Sequence, residues 1–303
     1  MRVRRDLKPF MRTVPTSSSL DFAEQIARLT GLDFDREAVI DQGLTLFESM
    51  FQELAAILKL PDDAIKFRSG YYFEARIFAA KDEAGTSQVS LDETFDYWLF
   101  ALSHLTVIAM CEQLSEAEFQ RLAQRVNETF LLFEDASRYQ RVREGLKPYI
   151  ADYAHLLNLS QALARAMLVF TICHELAHCR LEHLDRPADK AMELEADAIG
   201  AELFCKVVEF GHENSNTAVH VDPKVAGAPL ALTRLLEFHE RWLSRNNSGA
   251  TESSTHPTAA ERLAQVEPIL APHLDETARY VLEGFGAAVN DMESFLLGTP
   301  RSQ

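Results

Sequence analysis

The sequence predicts a mainly α-helical protein with a small β element. Most segments repeat apolar residues at the three- to four-residue spacing of an amphipathic helix, beginning with residues 36–60. One aromatic and partly alternating stretch, residues 71–79, instead favours a strand. Residues 86–91 follow it across a turn region at 82–85, so we expect the two stretches to pair as a hairpin.

Further helices are predicted in order along the chain. Residues 92–114 form the first, and residues 115–133 form the second, where Ser115 and Glu118 suit a capping box. Polar loops are expected at 212–223 and 245–255. The remaining predicted helices cover 158–184, 187–210, 230–243, 258–266 and 275–297.

The length of the chain permits two regions. Residues 1–158 would form a helical N-terminal region that includes the hairpin, and residues 159–303 would form a second domain that contains the motifs described below. A single compact unit of 303 residues is equally compatible with the 47% apolar content. The net charge of −16 repels phosphate backbones and anionic lipids, so no nucleic-acid partner is expected.

No membrane span and no secretory signal are expected. The longest run without charge, residues 97–111, is shorter than the roughly 20 apolar residues that a helix needs to cross a bilayer. No apolar stretch follows the basic N-terminus, as a signal peptide would require. The four cysteines, Cys111, Cys173, Cys179 and Cys205, form no CxxC pair, so we expect small buried thiols in a reducing cytoplasm.

The central motif is His174-Glu175-Leu176-Ala177-His178, an HExxH sequence on a predicted helix. Residues four apart on a helix lie on one face, so both imidazoles can reach the same metal ion. Glu175 is rotated by about 100° and can face a water bound to that ion. This pattern predicts a Zn²⁺ site in which Glu175 is the general base.

A catalytic zinc needs a third protein ligand. Glu193 follows His178 by 15 residues, enough for the chain to turn and return as an antiparallel helix. We predict that Glu193 binds the metal and that Asp197, one helical turn later, accepts a hydrogen bond from a ligating histidine. Glu195 is a rival ligand, but helical rotation turns it away from the face of Glu193.

These motifs resemble the HtpX and CAAX-prenyl-protease group of gluzincin metallopeptidases. HELAH at 174–178 and ELEAD at 193–197 match the HExxH and ExxxD elements of that group, and THPTAAER at 255–262 matches its THPxxxxR segment. The resemblance implies a zincin-like helical core, a zinc cofactor and a protein or peptide substrate. It also implies that His256 faces the zinc or the transition-state oxyanion, and that Arg262 pairs with an acidic residue of the site.

The relatives in that group are usually membrane-embedded, so their substrates are not carried over. The metal site is also similar to those of the phage-exclusion proteases and the ImmA/IrrE-type regulatory proteases, both soluble. We therefore expect a metalloendopeptidase, with a regulatory protease or a catalytically inactive zinc-stabilised binding module as alternatives. His104, His155 and His183 belong to no motif and are assigned to structure, with a contact between His183 and a ligating histidine five residues earlier as an alternative. An extended substrate could add to the sheet edge at 71–79 or 86–91.

Overall fold

The protein is described here by a computed structural model that covers residues 24, 27–29, 35, 46–60, 65–70, 76–134, 138–213, 219–246 and 256–298. Its described part is mainly α-helical with one small sheet, which confirms the predicted fold class. Within the described residues from 46 to 298, three strands and nine α-helices are defined as follows: α1 Leu46–Ile57, β1 Ile65–Gly70, β2 Ile77–Lys81, β3 Ser87–Asp92, α2 Glu93–Cys111, α3 Glu116–Glu134, α4 Tyr139–Asp152, α5 Leu157–Arg180, α6 Lys190–Glu213, α7 Ala228–Asn246, α8 Ala259–Leu270 and α9 Glu276–Leu297.

The sheet has three strands in the order β1-β3-β2. Strands β2 and β3 pair antiparallel with Ala79 opposite Val89, which confirms the predicted hairpin. The Asp82 carboxylate accepts hydrogen bonds from two N–H groups in the turn between them, and Gly85 takes the left-handed conformation there. Strand β1, which the sequence analysis missed, pairs parallel to β3. The first part of the predicted strand, residues 71–75, lies outside the described residues.

Most predicted helices are present with shifted ends. Ser115 and Glu118 form the expected reciprocal cap at the start of α3. Helix α4 has no counterpart among the predicted helices, although its buried residues Val142, Leu146 and Ile150 recur at helical spacing. Helix α5 ends at Arg180 rather than continuing to residue 184, because the chain turns at Glu182.

Helix α5 runs through the core of the protein. It packs against α2, α6 and α7 on different sides, and strands β2 and β3 also contact it. Nearly every residue of its second half is buried, including Phe170, Ile172 and Leu176. A helix that is apolar all round needs such surroundings, because no face of it can be left in water at low cost.

Two helical segments, residues 94–111 and 154–180, are long and apolar enough to cross a membrane by length and composition. The prediction that no segment reaches this threshold is therefore wrong, because a span tolerates the few charges that interrupted the uncharged runs. Within the fold, 78% and 61% of the two apolar windows are buried. Burial of this kind is typical of core helices, so the two segments are weak grounds for a span.

The cysteines also depart from the prediction in one case. All four are free, and Cys173, Cys179 and Cys205 are buried as expected. Cys111 is exposed, so its assignment as a buried thiol is wrong. It is the last residue of α2, where the chain leaves the core.

Candidate active site

The two histidines of the HExxH motif lie side by side on α5. His174 and His178 are both buried, and their Nε2 atoms are 3.1 Å apart. The spacing follows from the helix, which places residues i and i+4 on the same face. The two rings therefore present their Nε2 atoms to one common point.

Helix α6 returns alongside α5 and brings Glu193 to the same point. One oxygen of its carboxylate lies 3.7 Å from His174 Nε2, and the other lies 3.9 Å from His178 Nε2. Each of the three side chains offers one possible ligand atom, and these three atoms lie within 4.8 Å of one another. The predicted ligand trio is thus brought together by two consecutive helices.

Gly200 permits the close approach of these helices. A Cβ atom built on Gly200 would lie 3.0 Å from both Cα and N of His174. These are backbone atoms of α5, which cannot rotate away as the end of a side chain can. The missing side chain therefore lets α6 approach α5 at the level of the first histidine.

Asp197 and Arg262 hold the acidic side of the cluster. Asp197 is buried, and its Oδ1 lies 2.9 Å from His174 Nδ1. Arg262, on α8, donates from Nη1 to both Asp197 oxygens at 2.8 and 2.9 Å, and from Nη2 to Glu193 at 3.0 Å. One guanidinium thus bridges the two carboxylates, as its planar fork allows.

The start of α8 is fixed by a capping box. Thr258 accepts a hydrogen bond from the Glu261 N–H, and the Glu261 carboxylate accepts one from the Thr258 N–H. Lys190 Nζ, in the first turn of α6, lies 2.6 Å from Glu261. This contact ties the beginnings of α6 and α8 together and sets the position from which Arg262 reaches the carboxylates.

His256 precedes this cap at the outer rim of the site. Its Nδ1 lies 3.6 Å from Glu193 Oε1, and its side chain is 40% exposed. The THPxxxxR segment is therefore close to the ligand trio, as the resemblance implied. The first residue of that segment, Thr255, lies outside the described residues.

Glu175, the second residue of the HExxH motif, contacts the sheet. Its carboxylate accepts a hydrogen bond from the Ala79 N–H of β2, and burial raises its pKa to about 7. The charge of His174 opposes this rise. Glu175 thus connects the HExxH helix to the edge of the sheet.

Burial and the two carboxylates act in opposite directions on the pKa values of the cluster. Burial lowers the pKa of His174, but the carboxylates of Asp197 and Glu193 outweigh it and raise that pKa to about 10. Burial also raises the pKa of Glu193, yet the nearby rings of His174 and His256 hold it well below its ordinary value. His178 has its pKa lowered to about 4, first by burial and then by the charge of His174.

The donor set fits a metal cation. Without a metal, the raised pKa of His174 keeps its ring protonated at neutral pH, and its Nε2–H then lies between the two Nε2 atoms. Two lone pairs at this distance repel unless a proton or a cation lies between them. A cation beside Glu193 would replace this proton and, with the guanidinium of Arg262, would balance the carboxylates of Glu193 and Asp197.

Two residues that were named from the sequence but not chosen for the site extend this cluster. His183, assigned to structure, has its Nδ1 3.0 Å from His178 Nδ1. Its Nε2 lies 3.2 Å from Glu195, the residue considered as a rival ligand and placed away from the Glu193 face. Helical spacing could not indicate this contact, because α5 ends before His183 and the left-handed Glu182 folds the chain back.

His104 and His155, the other two histidines outside the motifs, do not contact the ligand trio in the described structure. His104 contacts the Ser160 hydroxyl and the Tyr149 carbonyl within the helical core, and burial lowers its pKa to about 4. His155 pairs with Glu112 at the surface. These contacts agree with the structural roles predicted for both residues.

A family model described as Peptidase U49 matches residues 98–281, from α2 into α9, and this range contains α5, α6 and Arg262. No curated protein and no solved structure matches the chain. The match supports a peptidase family but does not extend to the HtpX and CAAX-prenyl-protease group. Because the matched range is more than half of the 303 residues, the chain belongs to the peptidase U49 family.

Proposed function

We propose that this peptidase is a zinc-dependent metalloendopeptidase with His174, His178 and Glu193 as its metal ligands. The observation that carries the proposal is the convergence of the three donor atoms within 4.8 Å. Two imidazoles and one carboxylate are a ligand set of catalytic zinc sites, which keep a further coordination position open. Magnesium and calcium prefer sites made of oxygen ligands, so two imidazoles favour zinc.

Glu175 is assigned the proton transfers. When bound, a zinc ion supplies positive charge that acidifies water and polarises a carbonyl oxygen. Glu175 accepts the proton that is released as the water oxygen bonds to the carbonyl carbon of the peptide. It then delivers this proton to the amine nitrogen as the carbon–nitrogen bond breaks.

The surrounding residues are assigned supporting roles. Asp197 orients His174 through its Nδ1, and Arg262 holds the carboxylates of Asp197 and Glu193 in place. His256 lies at the exposed rim of the site, where it can donate a hydrogen bond to a carbonyl oxygen that gains negative charge. This donation makes His256 a catalytic residue in the proposal.

The outer edge of β2 is the place where an extended substrate would pair. Asp92 N–H donates to the Arg76 carbonyl and Asp82 N–H to the Thr86 carbonyl across the β2–β3 pair. The alternation of a strand therefore turns the N–H and C=O groups of Ile77, Ala79 and Lys81 outward. Since Glu175 already contacts Ala79, this edge borders the proposed proton acceptor.

The second predicted substrate edge, residues 86–91, is excluded by the sheet order. Strand β3 lies between β1 and β2, so both of its sides are already paired. Among the described strands, β2 is thus the edge that faces α5. An extended peptide on this edge would run past Glu175, which is the arrangement that strand addition requires.

The substrate is proposed to be a protein or peptide, in keeping with the peptidase family. The net charge of −16 disfavours nucleic acid as a partner. The four free cysteines fit a reducing compartment, so the cytoplasm remains the proposed location.

The proposal is tested by separating metal binding from hydrolysis. The protein is purified without added metal, its zinc content is measured by elemental analysis, and cleavage of a mixed peptide library is followed by mass spectrometry. We expect about one zinc per chain, as a single ligand trio implies. Glu175→Gln should keep the zinc and lower the cleavage rate by about 10²- to 10⁴-fold, the usual contribution of a general base.

His178→Ala should lose both the zinc and the cleavage. Glu267→Gln, the same change at an exposed position of α8, is the matched control and should match the wild type in both measurements. A protein that takes up no zinc even when zinc is supplied, or a Glu175→Gln variant that cleaves at the wild-type rate, would overturn the proposal.

A further inference from the structure

A line of three side chains leads from the ligand trio to the surface of the protein. His178 Nδ1 lies 3.0 Å from His183 Nδ1, and His183 Nε2 lies 3.2 Å from Glu195 Oε2. The side chain of His183 is only 1% exposed, whereas that of Glu195 is 57% exposed. The line therefore starts at a buried ring and ends at a carboxylate in contact with water.

The hydrogen-bond roles along this line are set by its two ends. The Nε2 of His178 faces His174 and Glu193, so a metal held there requires its lone pair, and the ring proton must be on Nδ1. The Nδ1–H of His178 then donates to Nδ1 of His183. His183 keeps its own proton on Nε2 and donates it to Glu195, because an ionised carboxylate only accepts.

Three features of the fold hold His183 in this place. Glu182 adopts a left-handed conformation with φ 55°, which folds the chain back beneath the end of α5. Residues His183–Asp185 then form a short helical turn. Asp185 lies 3.1 Å from Lys81 Nζ, and this ion pair ties the turn to the end of β2.

The arrangement complements the one at the first histidine. Asp197 approaches Nδ1 of His174, and His183 approaches Nδ1 of His178, so each ring of the pair has a partner on the side opposite the shared point. Such partners fix the tautomer and the orientation of a ligating histidine, and their loss typically weakens metal binding by 10- to 100-fold.

We propose that His183 and Glu195 are positioning residues that hold His178 in the orientation needed to bind the metal. This inference rests on the function proposed above. Neither residue touches the substrate or the metal. They act through His178 alone, by keeping its proton on Nδ1 and its ring turned toward Glu193. The ExxxD helix α6 thus serves both histidines, with Asp197 for the first and Glu195 for the second.

The test measures zinc affinity, by competition of the metal-free protein with a chromogenic chelator. Glu195→Ala and His183→Phe should each weaken zinc binding by about 10- to 100-fold. The double variant should be no weaker than His183→Phe alone, because both changes break the same line. Glu195→Gln keeps an acceptor oxygen and should recover most of the affinity, which a role in bulk packing would not explain.

Glu202→Ala is the matched control, since Glu202 is exposed on the same helix two turns further along. It should bind zinc as the wild type does. A nitrogen-detected NMR spectrum of the zinc-loaded protein gives a second readout. The proton of His178 should be found on Nδ1 in the wild type, and its signal should change in the His183→Phe variant.

The inference is overturned if Glu195→Ala and His183→Phe both bind zinc within about twofold of the wild type, far less than the usual effect of such partners. If His183→Phe fails to fold, the exposed Glu195 carries the test, with the Glu195→Gln rescue. A wild type that binds no zinc would instead overturn the proposed function, and this inference with it. If the wild type binds zinc and cleaves peptides, and the Glu195→Ala and His183→Phe variants bind zinc equally well, only this inference is overturned.

Discussion

At the scale of single residues, Arg262 has the largest number of contacts with the acidic groups of the site. Its guanidinium makes three hydrogen bonds to two carboxylates and is 19% exposed. Asp197 is nearly inaccessible to water, so the guanidinium of Arg262 and the ring of His174 surround its carboxylate in place of solvent. Breaking a buried ion pair from one side costs more than the pair itself contributes, because the remaining charge is left without compensation.

Arg262→Leu is therefore expected to destabilise the metal-free protein by about 3 kcal/mol or more. Arg262→Lys keeps the charge but not the planar fork, and should lose less. Denaturant unfolding in the presence of a chelator measures the loss of stability in both variants.

Arg141, which is exposed and lies 3.6 Å from Glu128, provides the control. Arg141→Leu should change the stability by less than about 1 kcal/mol. Equal losses for Arg262→Leu and Arg141→Leu would contradict the role assigned to Arg262.

The proximity of His174, His178 and Glu193 could be predicted because its geometry is local. His174 and His178 are one helical turn apart, and Glu193 and Asp197 repeat that spacing on the next helix. From the sequence, His183 was only an alternative, because its contact with His178 depends on a left-handed residue, Glu182. A positive φ at a glutamate is set by tertiary context, and no sequence pattern indicates it.

At the scale of elements, the contact between α5 and α6 determines the geometry of the site. The two helices meet where Gly200 faces His174. The sequence analysis predicted both helices and their antiparallel return, but it assigned no role to this glycine. The distance between two helices depends on the residue at their point of contact, which a single sequence does not reveal.

Gly200→Ala is expected to push α6 away from α5, because the added Cβ would meet backbone atoms at 3.0 Å. We expect a destabilisation of about 1–3 kcal/mol from overpacking. Zinc affinity should also fall, since Glu193 is on the displaced helix. Thermal unfolding and chelator competition measure the two effects.

The control for this change is Gly284→Ala on α9. Its new Cβ would also meet a neighbour at 3.0 Å, but that neighbour is the sulfur of the flexible Met110 side chain. The side chain can move, and alanine favours a helix by about 1 kcal/mol over glycine. Gly284→Ala should therefore be neutral or stabilising and leave zinc binding unchanged. If both alanine variants bind zinc equally well, the close approach at Gly200 is not needed for the site.

Strand β1 shows why the sheet was predicted only in part. Strands β2 and β3 are neighbours in the sequence, and turn residues such as Gly85 between them indicate a hairpin. Strand β1 pairs parallel to β3, so the chain must cross over between them. Such pairing depends on contacts between distant segments, which the pattern of a six-residue strand does not show.

At the scale of the whole molecule, stability should depend on pH through buried neutral histidines away from the site. His239 is 4% exposed and packs among Trp98, Phe130 and Trp242. Burial lowers its pKa to about 4. The unfolded chain, with a histidine pKa near 6.5, therefore binds a proton between pH 6.5 and 4 that the folded protein does not.

The stability that neutral His239 contributes is thus present above pH 6.5 and is lost as the pH falls toward 4. At pH 5 the expected loss is about 2 kcal/mol relative to pH 7.5. His239→Phe removes this group and should reduce the pH dependence of the unfolding free energy by that amount. Denaturant unfolding of the metal-free protein at the two pH values measures it. A variant with the same pH dependence as the wild type would contradict the prediction.

The bridge that Arg262 forms between Glu193 and Asp197 has a consequence for the order of events in the cell. The guanidinium acts as an internal counter-ion, so the acidic groups can be gathered while the chain folds and before any ion arrives. Small zinc domains, in contrast, remain unfolded until the metal enters. Under the proposed function, this protein would fold first and be loaded with metal afterwards, so the metal supply would set the share of active molecules among those already folded.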